Sequence, residues 1–125
     1  MSGTDDLIKI GKYNIKFNDI LKTDLPELEI YVSKGLKTHI KKRKHYKALG
    51  YFDKISEILK SPDYIGINAN EEGKSFEVIK IYKDNVMVCI KYDEENNYFY
   101  VSTMIDIHQS KINRRLYSGR LKSFS

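Results

Sequence analysis

The sequence predicts an α+β fold, with N-terminal helices packed on a three- to four-stranded antiparallel sheet and a short C-terminal helix. Three observations predict it. Residues 34–60 carry a helical period that is interrupted at Gly50. Four short runs rich in β-branched and aromatic residues follow, YIGINAN, SFEVIKIY, NVMVCIKY and YFYVSTMI, separated by the turn-forming stretches NEEGK, KDN and DEENN. The chain then closes with HQSKINRRLYSGR, a helical stretch stopped by Gly119. A length of 125 residues, with no repeat, linker or low-complexity stretch, fits one domain over 1–125.

Taken in order, KYNIKFNDI alternates weakly and is expected to begin with a short strand. LPELEIYVS places a strand from about Glu29 to Ser33, with Pro26 before it and Ser33 as a cap for the helix that follows. Leu36, His39, Ile40 and Arg43 share one helical face. His45 lies six positions past His39, about 120° round a continuous helix, so the two imidazoles do not converge there. A second helix turns Phe52, Ile55, Ile58 and Leu59 inward and ends at Pro62. The short connections after it favour an antiparallel meander.

Charge is unevenly distributed. The net charge is +5 with a pI near 9.1, which favours polyanionic partners. Lys37, Lys41, Lys42, Arg43 and Lys44 form one basic block, and Lys111, Arg114, Arg115, Arg120 and Lys122 form a second, far enough along the chain that folding could bring the two together. The acids Asp5, Asp6, Glu71, Glu72, Asp93, Glu94 and Glu95 fall in expected turns. A lone Cys89 excludes an intrachain disulfide framework and reads as a structural thiol. No apolar run approaches the roughly 20 residues of a membrane span, and no signal sequence opens the chain, so a cytoplasmic location and no membrane partner are expected.

Strict alternation along the strands puts Phe76, Val78, Lys80 and Tyr82 on one face, and Phe99, Val101, Thr103 and Ile105 against the helices. An open face carrying Lys80, Tyr82, Tyr98, Tyr100 and Ser102 would then combine cations with aromatic rings. Unpaired nucleic acid, whose bases stack and whose phosphates need positive charge, suits such a face. Tyrosines covering a half-exposed sheet are the plainer alternative. His39 stands beside Lys42 and Arg43, which disfavour a further positive charge. A neutral imidazole there is what a general base for a ribose 2′-hydroxyl requires, and the same cations would hold the phosphate. His39 as a hydrogen-bonded residue at the core edge stays open. His45 reads as part of the basic surface and His108 as an exposed residue opening the last helix. No His pair at i, i+4, phosphate-binding glycine loop or nucleophile elbow is present, so neither a metal nor another cofactor is expected.

The series GLKTHIKKRKH, ILKSPDYIGIN, FEVIKIYKDNVMVCIKYD, YFYVSTM and RRLYSGRLK resembles the phage-associated Barnase–EndoU–colicin–RelE-like nucleases over about residues 28–122. The resemblance implies a small α+β ribonuclease fold that cuts RNA without metal, leaving a 2′,3′-cyclic phosphate and a 5′-hydroxyl. Carried over by position, it implies His39, Lys80, Thr103 and Arg120 as catalytic residues, with Arg43 and His45 as further candidates. His39 and Lys80 agree with the residue-level reading. The hydroxyl does not, because alternation favours Ser102, and a bulge in the last strand would bring Thr103 to the open face. The expected function is a metal-independent endoribonuclease, a toxin or effector of a phage or mobile element, matched by an acidic inhibitor or immunity protein. Lys42, His45, Tyr82, Tyr98, Tyr100, Arg114 and Arg115 are its expected RNA contacts. A non-catalytic RNA- or DNA-binding module of the same fold is the rival.

Overall fold

A computed structural model of the protein describes residues 7–67 and 74–124. The described strands are β1 (Leu7–Lys12), β2 (Glu29–Ser33), β3 (Tyr64–Ile67), β4 (Ser75–Ile81), β5 (Asn85–Asp93), β6 (Tyr98–Asp106) and β7 (Leu121–Ser123). They form one sheet in the order β1-β2-β6-β5-β4-β3-β7. The helices are α1 (Lys16–Leu21), α2 (Leu36–Lys42), α3 (Tyr46–Leu49), α4 (Ile55–Lys60) and α5 (Gln109–Ser118), with a 3-10 turn at Phe52–Lys54.

The fold is α+β, but the expectation of N-terminal helices on three or four strands is corrected. Among the described residues the sheet has seven strands, and β1 precedes every helix. The edge strands escaped a pattern search for a physical reason. In β7 only Leu121 is buried, so no alternation shows. In β1 the register slips between Lys9 and Gly11, which breaks the period. Of KYNIKFNDI, expected to begin with a short strand, only Lys12 is in a strand, as the end of β1, and the rest is a loop and α1. Tyr13 and Phe17, four apart, bury together in an edge-to-face ring contact at 5.7 Å. Asn18 fixes this segment, its Oδ1 accepting from Tyr13 Oη, Thr23 Oγ1 and Leu25 N at 2.8–3.0 Å.

The meander from β3 to β6 is antiparallel as expected, whereas β2 joins β6 in parallel through Ile30 and Tyr31. The stretch expected to form one helix is two, because Lys44 takes a left-handed conformation (φ 60°) between α2 and α3. The helical angle between His39 and His45 therefore does not apply. Gly35, not Ser33, precedes α2, and no side chain caps it. The turns expected at Asp5–Asp6 and Glu71–Glu72, and the end of YIGINAN, lie outside the described residues.

Two apolar layers sit on opposite faces of the sheet. Phe76, Val78, Val86, Val88, Ile90, Phe99, Val101 and Met104 pack with Leu36, Ile40, Ala48, Ile55, Ile58 and Leu59 of α2, α3 and α4. On the other face Ile79, Met87 and Ile105 pack under Ile112 and Leu116 of α5. The two basic segments therefore ride on elements packed against opposite faces and do not converge. β7 approaches β3 so closely that a Cβ on Gly66 would lie 2.7 Å from the Arg120 carbonyl oxygen and 3.1 Å from Leu121. Gly66→Ala is expected to cost about 1–3 kcal/mol and to loosen β7 first. A lowered melting temperature, with amide exchange accelerated at residues 121–123, is the observation that checks it.

Candidate nucleic-acid interface

The register of β4, β5 and β6 aligns side chains in rows across the α5 face. Glu77 pairs with Cys89, which pairs with Thr103, and Ser75 pairs with Lys91, which pairs with Tyr100. A bulge decides this alignment. Cys89 opposes Thr103 while Ile90 opposes Val101, so Ser102 is the inserted residue. Beyond it the alternation inverts. Met104 enters the helix-side core with no exposure, and Thr103 and Ile105 turn to the face that carries Tyr98 and Tyr100. Thr103 is thus on the open face, and Ser102 donates its hydroxyl to the Cys89 carbonyl oxygen at 3.2 Å.

Glu77 is the centre of the face. It is 3 % exposed, in the middle of the sheet, where a lone carboxylate would be prohibitively desolvated. Two guanidinium groups compensate it. Arg115 Nη1 donates to Glu77 Oε1 at 2.9 Å, and Arg120 Nη2 lies 3.2 Å from the same oxygen. Local structure delivers both. α5 presents Arg115 one turn after the buried Ile112, and Gly119 (φ 84°) ends the helix so that the chain returns as β7 with Arg120 at its start. Ser118 supports the turn, donating to the Arg115 carbonyl oxygen at 3.1 Å and accepting from Arg120 N at 3.4 Å.

Two arginines against one carboxylate leave a net positive charge. A cavity of about 380 Å³ opens beside them, lined by Lys111, Arg114, Arg115, Ser118 and Arg120. Each guanidinium has five N–H donors in a planar fork that matches phosphate oxygens. Cys89 lies between Glu77 and Thr103, and burial, reinforced by the Glu77 carboxylate, pushes its thiol up to about 12.

The remaining sequence-predicted residues lie elsewhere. Lys80 is on the helix side, donating to the Ser61 carbonyl oxygen at 2.8 Å with Asp63 at 3.9 Å. Tyr82 is on that side too, stacked on Tyr51 at 4.9 Å and donating to Glu57. Burial first, and Glu57 second, push its hydroxyl up to about 12. His45 Nδ1 lies 3.8 Å from Asp106 Oδ1. His39, Lys42 and Arg43 are exposed on and just after α2, which packs along β6. His39 makes no side-chain hydrogen bond or ion pair with the described residues. The structure therefore sets Thr103, Tyr98 and Tyr100 on the sheet face against which α5 packs, gathers Arg114, Arg115 and Arg120 at one cavity, and puts Lys80 and Tyr82 on the other face.

Sequence reasoning missed Glu77, Lys91 and Tyr31. For Glu77 the signal was available: alternation set a carboxylate on the same face as Ile79 and Ile81, and a buried acid demands a cationic partner. Tyr31 joins the face only through the parallel pairing of β2 with β6, which no local pattern encodes.

A cationic, tyrosine-bearing sheet face of this kind defines a polyanion-binding α+β protein. Residues 8–114 match the family described as phage-Barnase-EndoU-ColicinE5/D-RelE like nuclease3, and the chain belongs to it. The family is one of nucleases, whose substrate is nucleic acid. No curated protein and no solved structure matches the chain. Arg115 and Arg120 lie just past the matched stretch. Among the described residues no helix is long and apolar enough to cross a membrane, and no three His, Cys, Asp or Glu side chains gather as a metal site.

The raised Cys89 thiol sets an expectation for reactivity. A thiolate-seeking reagent at pH 8 is expected to label the native protein at least about 100-fold more slowly than the protein in denaturant. Comparable rates in a time course of labelling would contradict the half-buried, protonated thiol.

Proposed function

We propose that the protein is a metal-independent endoribonuclease, serving a phage or mobile element as a toxin or effector. The observation that carries this reading is the pair of guanidinium groups held on a buried carboxylate beside an open sheet face. RNA cleavage of the proposed kind begins with attack of a ribose 2′-oxygen on the adjacent phosphorus. The bond from phosphorus to the 5′-oxygen breaks, leaving a 2′,3′-cyclic phosphate and a 5′-hydroxyl. Arg115 and Arg120 would bear the charge that develops on the phosphate, a task in which preorganised donors are worth two to three decades of rate. Thr103, in the same row as Glu77 and two strands across, would orient a phosphate oxygen.

A base must take the 2′-hydroxyl proton and an acid must supply one to the leaving oxygen. His39 is assigned to this exchange. Its support is positional: α2 packs on the face opposite to Thr103, but β2 stops pairing with β6 at Tyr31, so His39 would act on a strand that passes round that open edge of β6. Arg43, Lys42 and His45 would assist from the same segment. The role given to Lys80 passes to the arginines, because Lys80 is engaged by Ser61 and Asp63 on the helix side. An acidic inhibitor protein would complement the cationic face.

Parent protein, His39→Ala and the Arg115→Ala/Arg120→Ala double variant incubated with RNA in EDTA test the reading. The parent is expected to cleave with cyclic-phosphate ends, and each variant to lose about 100-fold or more in rate. Salt-sensitive RNA binding by a parent that never cuts would replace the enzyme with a binding module. Undiminished cleavage by His39→Ala would move the proton transfer to another residue.

A further inference from the structure

We propose that the cavity between α5 and β7 is a polyphosphate site, which takes the triphosphate of a free nucleotide or of an RNA 5′ end. The inference shares Arg115 and Arg120 with the nuclease reading but goes beyond its reaction, and it is read by binding alone. Lys111, Arg114, Arg115 and Ser118 follow the i, i+3, i+4, i+7 spacing, so α5 turns them to one side. Arg120 joins them from the turn before β7, and together they line about 380 Å³. Among the described residues no acid lines that space.

The charge gathered there exceeds what one phosphodiester needs. Four cationic side chains line the cavity, and the carboxylate set against them is Glu77, at 2.9 Å from Arg115 and 3.2 Å from Arg120. Three positive charges are left over. A diester linkage carries a single negative charge, whereas a triphosphate carries between about three and four, since its terminal group alone has about 1.5 to 2. The distribution of the charge points the same way. Arg115 and Arg120 reach the same oxygen of Glu77, so they meet at a point instead of lining a track. A nucleic-acid strand spreads its charges along its length, about one per 3.4 Å of helix axis. Directly linked phosphates concentrate theirs, and planar guanidinium forks pair with phosphate oxygens two at a time.

α5 carries a strain that such a ligand relieves. Lys111 stands three and four positions before Arg114 and Arg115, the spacing at which like charges repel, and no acid occurs in QSKINRRLYS. Glu77 offsets the two arginines beneath. Lys111 and Arg114 stay exposed and make no ion pair with the described residues. Because Glu77 is buried and holds Arg115 and Arg120, the cationic wall is formed before a ligand arrives. The volume lies at the lower end of the roughly 300–1,000 Å³ of small-molecule sites, which suits linked phosphates and leaves the sugar and base outside.

Isothermal titration calorimetry on the full chain, in EDTA at fixed ionic strength, tests the site with sodium tripolyphosphate, adenosine triphosphate and orthophosphate. Tripolyphosphate is expected to bind at least about tenfold tighter than orthophosphate, and adenosine triphosphate to match it within about threefold. Lys111→Gln/Arg114→Gln leaves the Glu77 ion pairs in place and is expected to lose about tenfold or more for tripolyphosphate. Lys41→Gln/Lys47→Gln removes the same charge from the helices packed on the other face, and is expected to change binding by less than about twofold. Thermal melting confirms that both variants are folded. Two 2′-O-methyl RNAs of one sequence, with a 5′-triphosphate or a 5′-hydroxyl, separate the sources. About tenfold tighter binding of the triphosphate end assigns the site to strand ends; equal binding of the two RNAs, with tripolyphosphate still held tightly, assigns it to free nucleotides. Orthophosphate bound as tightly as tripolyphosphate overturns the proposal. So does an equal loss in the two double variants, which would reduce the site to the general attraction of a basic surface. No strand is cut in any arm, so a chain that fails as a nuclease still tests the site, and an active nuclease without this preference sinks the polyphosphate site alone.

Discussion

The arrangement of the α5 face depends on one buried carboxylate. Glu77 occupies an inner strand where it is almost wholly buried, and its stability in that place is conditional on Arg115 and Arg120. The condition propagates. α5 must dock with Ile112 and Leu116 down and Arg115 inward, and β7 must return along β3 to set Arg120 beside it. Gly66 permits that return, since it pairs with Glu77 on one side and with Leu121 on the other. Buried ion pairs seldom out-stabilise a hydrophobic replacement of the same shape. What this one supplies is position: two planar forks held by their inner edges next to an open surface.

The Ser102 bulge is the second constraint, and it works on the same face. Without the inserted residue, Thr103 would follow Phe99 and Val101 into the helix-side core and Met104 would sit among the tyrosines. With it, one strand serves both layers: an apolar residue stays under α2 and α3, and a hydroxyl stands in the row of Glu77. Ser102 is suited to the insertion because its hydroxyl satisfies the Cys89 carbonyl oxygen at the place where the ladder is disturbed.

Legibility in the sequence followed the range of the interaction that sets each feature. β2, α5 with its Gly119 stop, and the inward residues of α4 were readable, because each is fixed by local spacing or by a cap. β7 was not, since three residues with one buried side chain carry no period. The helix break at Lys44 was not either: a left-handed lysine has no local signature in a run of lysines and arginines. The candidate site divides in the same way. Tyr98, Tyr100, Arg115 and Arg120 could be singled out by residue type. Placing Tyr82 and Lys80 with them failed because alternation says which residues share a face, and not which face meets the helices. Glu77 was visible as an anomaly, a carboxylate in an apolar run, but its partners lie 38 and 43 positions away.

The opposed placement of the two basic segments bears on how a polyanion reaches the site. α2 and the residues just after it expose Lys37, Lys41, Lys42, Arg43 and Lys44, while α5 and β7 expose Lys111, Arg114 and Lys122 across the sheet. A field of one sign on both faces draws nucleic acid toward the molecule from either side. On the proposed reading, a strand that first meets α2 would have to pass the edge of β6, beyond Tyr31 where β2 no longer pairs, to reach Thr103 and the arginines. Duplex resists such a path, because its persistence length of about 150 base pairs makes a sharp turn over one protein edge costly. A single strand bends there freely, so a site reached from both basic segments would favour a flexible polyanion over a stiff one.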